Sequence, residues 1–479
     1  MSRDREQKLS SILEIAKAMS VERELDQLLG LVIQEAKSVL DADRCSIFVL
    51  DAERAQLWSR VAHGLRSQEI RLPLGEGIAG WVAQHDTVLN LPDAYDDPRF
   101  QQSFDLSTGY RTRSILCAPM RGAKAEVVGV IQALNRNDAQ PFDAEDEELL
   151  LALGGQAAVS IQNALLHEDI ERLFEGFVKA SVVAIEARDP TTSGHSERVA
   201  TLTCALAATI DRCEHGPFAS FHVSPTALRE LRYAALLHDF GKVGVREHVL
   251  VKAMKLYPWQ REQLALRFEL ARVAAQRDHF AAIARGEPRP LGELEEKLAQ
   301  LDGYWSTIER SNQPTVLSAS GFDGLRAMRS CTIQGCRQQF ELITAEELEL
   351  LSIPKGSLSA SERAEIESHV SHTFRFLSMI PWTQDLRSVP ELAHAHHEKL
   401  GGQGYPLGLK ASQIPIGSRM MAIADIYDAL TASDRPYKAA LECAKALAIL
   451  DSEARRGLVD SELLTVFIEA KVFEGVEKG

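Results

Sequence analysis

Several things are scarce or missing in this 479-residue chain, and each absence narrows its function. Positive charge is outnumbered: 53 Lys and Arg face 68 Asp and Glu, a net charge of −15. Bulk affinity for a nucleic-acid polymer or an anionic membrane is therefore not expected. An anionic substrate has to be held by a local cluster of cations or metals. No CxxC occurs among the seven Cys at 45, 117, 204, 213, 331, 336 and 443. Their odd number points to reduced thiols and a cytoplasmic location. Cys331 and Cys336 could make half a metal site, but no second Cys pair completes it. The first residues, MSRDREQK, are charged and lack the apolar core of a signal peptide. No apolar run is clean enough for a bilayer span, because residues 149–166 carry Gln156, Ser160, Gln162 and Asn163. No internal repeat is present.

What is there reads as two or three globular domains, since one core does not serve so long a chain. Residues 8–40 have helical spacing: Leu9, Ile12, Leu13, Ala16 and Met19, then Leu28, Leu29, Val32, Ala36 and Val39. Four β-rich runs follow, CSIFVL (45–50), AQLWSRVA (55–62), SILCAPM (114–120) and VVGVIQAL (127–134). Helices flanking strands predict an α+β domain over 1–155. From Leu149 to about Ala187 the chain reads as one long helix. Val159, Leu166, Leu173 and Ala180 recur every seven residues, with Ile170, Phe177 and Ala184 four further on and Asn163 in one of those second positions. A dimerising signalling helix over 156–187 explains that stripe, and so does a helix packed on its own domain. Beyond 187 strand signals nearly vanish. Residues 188–479 are expected to form an all-α domain, interrupted at 255–345 by a charged helical insertion that resembles an antiparallel helix pair.

The helical domain carries His and Asp in five segments: GHSERV with His195; LLHDFGK with His238, Asp239 and Lys242; ESHVSHT with His369 and His372; AHHE with His396, His397 and Glu398; and IADIYDAL with Asp425 and Asp428. Each segment alone has a bland explanation in capping or a satisfied core histidine. Together they place imidazoles and carboxylates beside inward-facing apolar residues, which is costly unless the groups are paired or ligated. His with Asp and without Cys points to iron or manganese over structural zinc. Six or seven donors suit two ions sharing a carboxylate, an arrangement that activates water and stabilises charge on a phosphoryl group.

HDFGK, HHEKLGGQGYP and ADIYDALTASDRPYK together resemble the HD-GYP family, HD-domain phosphohydrolases that hydrolyse cyclic di-GMP. The resemblance covers 176–254 and 345–479. It implies metal ligation by His195, His238, Asp239, His369, His396, His397 and Asp425, with Asp239 bridging and Lys242 against the scissile phosphate. Tyr405, Arg435 and Lys438 would hold the dinucleotide, and the loop glycines would let the backbone approach it. Gly401 stands where many relatives have Asp or Asn. No acidic residue one turn before His195 supports a third metal, so two are expected. His372 and His394 are left outside the site, and Glu398 is expected to orient a ligand His. The gap from Asp239 to His369 is unusually long because of the insertion, which could lid the site, mediate assembly or decorate the surface.

Residues 75–120 and NRNDAQPFDAEDE resemble GAF domains, particularly those of cyclic-nucleotide phosphodiesterases. Their signature falls on Asn135, Arg136, Phe142, Asp146 and Glu147, with Arg in place of Lys. The resemblance implies a sensor for a cyclic nucleotide or other small ligand; the Arg136–Asp146 pair could equally serve only to close the domain. The whole is expected to be a homodimeric, two-metal phosphodiesterase taking cyclic di-GMP to linear pGpG and on to GMP. Another cyclic dinucleotide as substrate, or a binding module without turnover, are the alternatives.

Overall fold

The computed structural model describes residues 17–19, 22, 24–59, 70–189, 194–316, 319–335, 337–432 and 440–475. The expected helical residues 8–16, the end of AQLWSRVA, and Arg435, Lys438 and Cys336 lie outside them. The described chain forms two compact units, 1–176 and 177–479.

In the first unit, helix α1 (Leu25–Val39) turns Leu25, Leu28, Leu29, Val32 and Ala36 to one buried face, the spacing of an amphipathic helix. It leads into β1 (Ala42–Asp51), β2 (Gln56–Ser59) and β3 (Ile70–Pro73), then α2 (Gly77–His85), β4 (Leu89–Leu91), α3 (Gln102–Thr108), β5 (Ile115–Arg121) and β6 (Val127–Arg136). The strands make one antiparallel six-stranded sheet in the order β3-β2-β1-β6-β5-β4. Alternation along β1 and β6 sorts the core. Cys45, Ile47, Ile131 and Ala133 join α1 on one face, while Phe48 and Val130 join Ile78 and Val82 of α2 on the other. Gly129 permits the close pairing of these strands, since a Cβ there would lie 2.2 Å from the Phe48 carbonyl oxygen. The sequence predicts four strands and the sheet has six. β3 and β4 are edge strands of four and three residues with no fully buried position, too short and too open to leave a periodic signal.

The long helix, α4, runs from Ala144 to Arg188. By length and composition it could cross a membrane. Its first half instead buries Leu150, Leu153, Ala157, Ala158 and Ile161 against the sheet. Further along, Leu166, Ile170, Leu173 and Phe177 of the heptad stripe are exposed.

In the second unit come α5 (His195–Asp211), α6 (Pro225–Leu237) with its Ser224 cap, a 3-10 turn (Phe240–Gly244) and α7 (Glu247–Leu250). The insertion supplies α8 (Pro258–Ala284), α9 (Leu291–Asn312), α10 (Ala319–Arg329), β7 (Thr332–Gln334), β8 (Gln339–Glu341) and α11 (Ala345–Leu351). Ion pairs Arg261–Glu309 and Arg272–Asp302 fix α8 and α9 as the expected antiparallel pair, around Leu264, Phe268, Leu301 and Ile308. The β7–β8 hairpin departs from the all-helical expectation, because three-residue strands carry too little alternation to be read. The chain returns through α12 (Ala360–Leu377), started by a Ser359–Glu362 capping box, then α13 (Val389–His394), α14 (Ile416–Thr431), α15 (Cys443–Arg455) and α16 (Ser461–Glu469).

Asn135 does much of the closing of the first unit. Its backbone is left-handed, at φ 52°. Its Oδ1 accepts from the Arg113 and Ser114 amides, and its Nδ2 donates to the Arg111 carbonyl and Tyr110 hydroxyl. Replacing Asn135 with Ala strands these buried groups and should cost about 2–4 kcal/mol. Arg136→Ala, at a more exposed pair, should cost about 1 kcal/mol. Hydrogen exchange of the β5 and β6 amides measures both, and equal losses would contradict the ranking.

Candidate metal centre

Five segments of the second unit deliver donors to one buried place. His195 opens α5, His238 and Asp239 end α6, His369 sits within α12, His396 and His397 follow α13, and Asp425 lies in α14. Gly241 makes the α6–α12 approach possible. A Cβ there would stand 1.9 Å from the His369 carbonyl oxygen, and the Thr373 hydroxyl ties the two by accepting from the Gly241 amide and donating to the His238 carbonyl.

The donors form two triads, His195–His238–Asp239 and His369–His396–His397, within each of which the ligand atoms lie no more than 4.8 Å apart. Two carboxylates reach across. Asp239 Oδ2 is 3.5 Å from His238 Nε2 while its Oδ1 is 3.1 Å from His369 Nε2. Asp425 Oδ1 is 3.3 Å from His195 Nε2 and its Oδ2 is 3.9 Å from His397 Nδ1. Three imidazoles are set the same way: His238, His369 and His396 each donate Nδ1–H to the carbonyl three residues earlier, on Ala235, Ile366 and Ala393. That fixes Nε2 as the lone-pair nitrogen. Among the described residues those three Nε2 atoms are buried without a hydrogen-bond partner. Orphaned lone pairs aimed at two shared carboxylates fit a pair of divalent ions, with all seven expected residues as holders.

Electrostatics agree. Burial, with His397 and His238 close by, holds His396 well below the ordinary imidazole pKa; burial lowers His238 too, and His397 to about 4. All three are neutral ligands at pH 7. Burial alone would raise the Asp239 carboxyl, but Lys242, His238 and His369 outweigh it and keep it ionised. Burial likewise opposes charge on Lys242, which Asp239 and Asp189 restore. His195 differs. Despite burial, Asp425 and Asp428 raise it to about 9, so it carries a proton at pH 7 in the metal-free chain.

Two supporting residues were not assigned these roles from the sequence. Asp428 sits 2.7 Å from His195 Nδ1 and is itself forked by Arg198 at 2.6 and 3.0 Å. Asp189, directly after α4, lies 3.0 Å from Lys242 Nζ, which in turn is 2.9 Å from Asp239 Oδ2. Lys242 thus braces the bridging carboxylate as well as bordering the site. Glu398 corrects an expectation: its oxygens accept from the Leu407 and Leu409 amides, so it folds the loop and orients no His. The loop glycines also serve the loop. Gly404 lies so close to Glu398 that a Cβ would be 2.4 Å from its Cα. Tyr405 does border the donors, its ring 4.8 Å from that of His397. His394 stacks on Phe374 and His372 is exposed, both outside the cluster as expected.

A GAF-domain model matches residues 24–161, and HD-domain models match 192–303 and 346–463. The chain carries a GAF domain followed by an HD domain. It is 34% identical over 166 residues to a dual 3',5'-cyclic-AMP and -GMP phosphodiesterase 11A of Takifugu rubripes, covering 32% of this chain and 18% of that protein. It is 31% identical over 182 residues to a probable 3',5'-cyclic phosphodiesterase pde-5 of Caenorhabditis elegans, covering 35% and 25%. The chain therefore spans a quarter or less of these curated relatives. Among solved structures, the GAF domain of a phosphoenolpyruvate-protein phosphotransferase from Coxiella burnetii matches with 25% identity and a TM-score of 0.31, over 34% of this chain and 96% of that one.

Within the GAF domain, the signature residues act as closure. Arg136 pairs with Asp146 at 2.8 Å, Phe142 is core, and Glu147 accepts from Asn90. None of them lines the domain's cavity of about 170 Å³, which is bounded by Arg44, Phe48, Phe104, Tyr110 and Gln132 among others.

Three outcomes follow for the HD domain. Asp239→Ala should lose both ions, measured as manganese per chain after reconstitution, whereas Glu398→Ala should keep them. Asp428→Ala should weaken metal affinity about 10–100-fold. Because loading His195 Nε2 displaces its proton, metal binding at pH 7 should release about one proton from His195 and tighten as pH rises towards 9. Calorimetry in buffers of different ionisation enthalpy reads that proton directly.

Proposed function

We propose that this chain is a metal-dependent phosphodiesterase that opens cyclic di-GMP to linear pGpG and carries it on to GMP, with the GAF domain as its regulator. The observation that carries the reading is the paired buried triads spanned by Asp239 and Asp425, bordered by Tyr405 of the GQGYP loop. Two divalent ions, iron or manganese, would supply a nucleophile from water and offset phosphoryl charge. The chain's own part is to hold Asp239 ionised through Lys242 and to keep four imidazoles aligned. Tyr405, with Arg435 and Lys438 from the RPYK segment, binds the dinucleotide. The names of the curated relatives favour a second reading, in which the diester is a cyclic mononucleotide.

The exposed stripe of α4 at Leu166, Ile170, Leu173 and Phe177 supports pairing of two copies through that helix. Its last turn precedes Asp189, so a change in α4 registers at Lys242 and Asp239. A sensor ligand alters turnover only as far as it discriminates between two arrangements of that helix.

Purified manganese- or iron-loaded protein should hydrolyse cyclic di-GMP faster than a mixed GMP–AMP ring, cyclic GMP or cyclic AMP, and Asp239→Ala should fall to background. A preference for the mononucleotides sinks the dinucleotide assignment while leaving the metal centre intact. Arg435→Ala and Lys438→Ala should raise KM with metal content unchanged. For coupling, two residues inserted beside Glu171 rotate the helical faces by roughly 200° and should abolish the response to cyclic GMP or cyclic AMP. An unaltered response makes α4 a passive tether.

A further inference from the structure

Helix α8 of the insertion is apolar on two faces. One packs inward through Leu264, Phe268, Ala271 and Ala275. The other lies open: Trp259, Leu266, Val273 and Phe280 follow one another at intervals of seven, with Leu266 70% and Val273 and Phe280 each 59% exposed, and Leu270 beside them. A seven-residue apolar repeat is the pattern of a helix that pairs with another helix. From Trp259 to Phe280 it runs about 32 Å. Nothing in the insertion's own core needs it, since that core is complete on the opposite face.

We infer that this stripe is an interface between two copies of the chain, with the two α8 helices antiparallel. The charges decide both occupant and direction. In the antiparallel register Trp259 of one copy lies opposite Phe280 of the other, and Leu266 opposite Val273. The same register sets Glu262 opposite Arg277 and Gln263 opposite Gln276, and the two-fold symmetry makes each pairing twice. Running the helices parallel would set Glu262 against Glu262 and Arg277 against Arg277. Arg277 also holds Asp278 and the Gln334 carbonyl of its own chain. The stripe is therefore complementary to itself in one direction only. This stripe is distinct from the exposed stripe of α4.

The test uses full-length protein. Copies carrying Trp259→Cys and differently tagged copies carrying Phe280→Cys are mixed and oxidised, with the unsubstituted chain giving the background of the native cysteines. A disulfide joining the two tags should form in the mixture and stay at background in either variant alone, because Trp259 is roughly 30 Å from its own counterpart in this register. Leu266→Cys mixed with Val273→Cys is a second pair, free of any disturbance at the tryptophan. Glu at both 266 and 273 in the background should cut the yield about tenfold or more, with metal content and helical circular dichroism unchanged. Trp259→Cys linking to itself as strongly as to Phe280→Cys would mean a parallel seam and overturn the proposal. So would the absence of any cross-copy disulfide in both pairs, the result expected if the stripe docks elsewhere on its own chain or on another protein.

Discussion

The Asp239 carboxylate is the constraint around which the HD domain is arranged. It is buried, ionised, and within reach of His238, His369 and the Lys242 ammonium at once. An isolated charge in such a place is untenable, so the surrounding helices must all be present for any of them to be stable there. Asp425 imposes the same demand from α14. The fold satisfies both by bringing five separate segments to one point, and by spending backbone carbonyls on three imidazoles so that their free nitrogens face inward.

That arrangement divides labour in a way the motifs hide. HDFGK contributes two donors, a brace in Lys242, and a glycine whose missing side chain lets α12 carry His369 into place. HHEKLGGQGYP contributes two donors, while its glutamate and Gly404 shape the loop that presents Tyr405. Roughly half of each motif is therefore architecture.

Most of the donor set was legible because the chemistry demanded rare residue types beside apolar helical positions. The supporting set was not. Asp189 and Asp428 look like ordinary acids in sequence; only the approach of Lys242 to one and of His195 and Arg198 to the other gives them roles. The fold was legible in the same measure. Long amphipathic stretches such as α1 announced themselves, whereas β3, β4 and the β7–β8 hairpin are set by pairing partners distant from their own few residues. Glu398 was misjudged because a carboxylate beside two histidines has two equally short routes, to a ring or to a backbone amide, and spacing does not separate them.

The neck of the insertion bears on how the site assembles. Lys252 Nζ bonds both oxygens of Glu362 at 2.8 Å, across 110 residues, and the Ser357 hydroxyl donates to the Lys252 carbonyl across 105. The chain that leaves after α7 is thus fastened to the chain that returns into the first turn of α12. For loop statistics the excursion becomes a side branch, and doubling its length would cost only ~0.6 kcal/mol in closure entropy. His369 is 130 residues from Asp239 in number, yet its route, once the neck is closed, is that of a short connection. The insertion's size can drift freely so long as those three residues keep their grip.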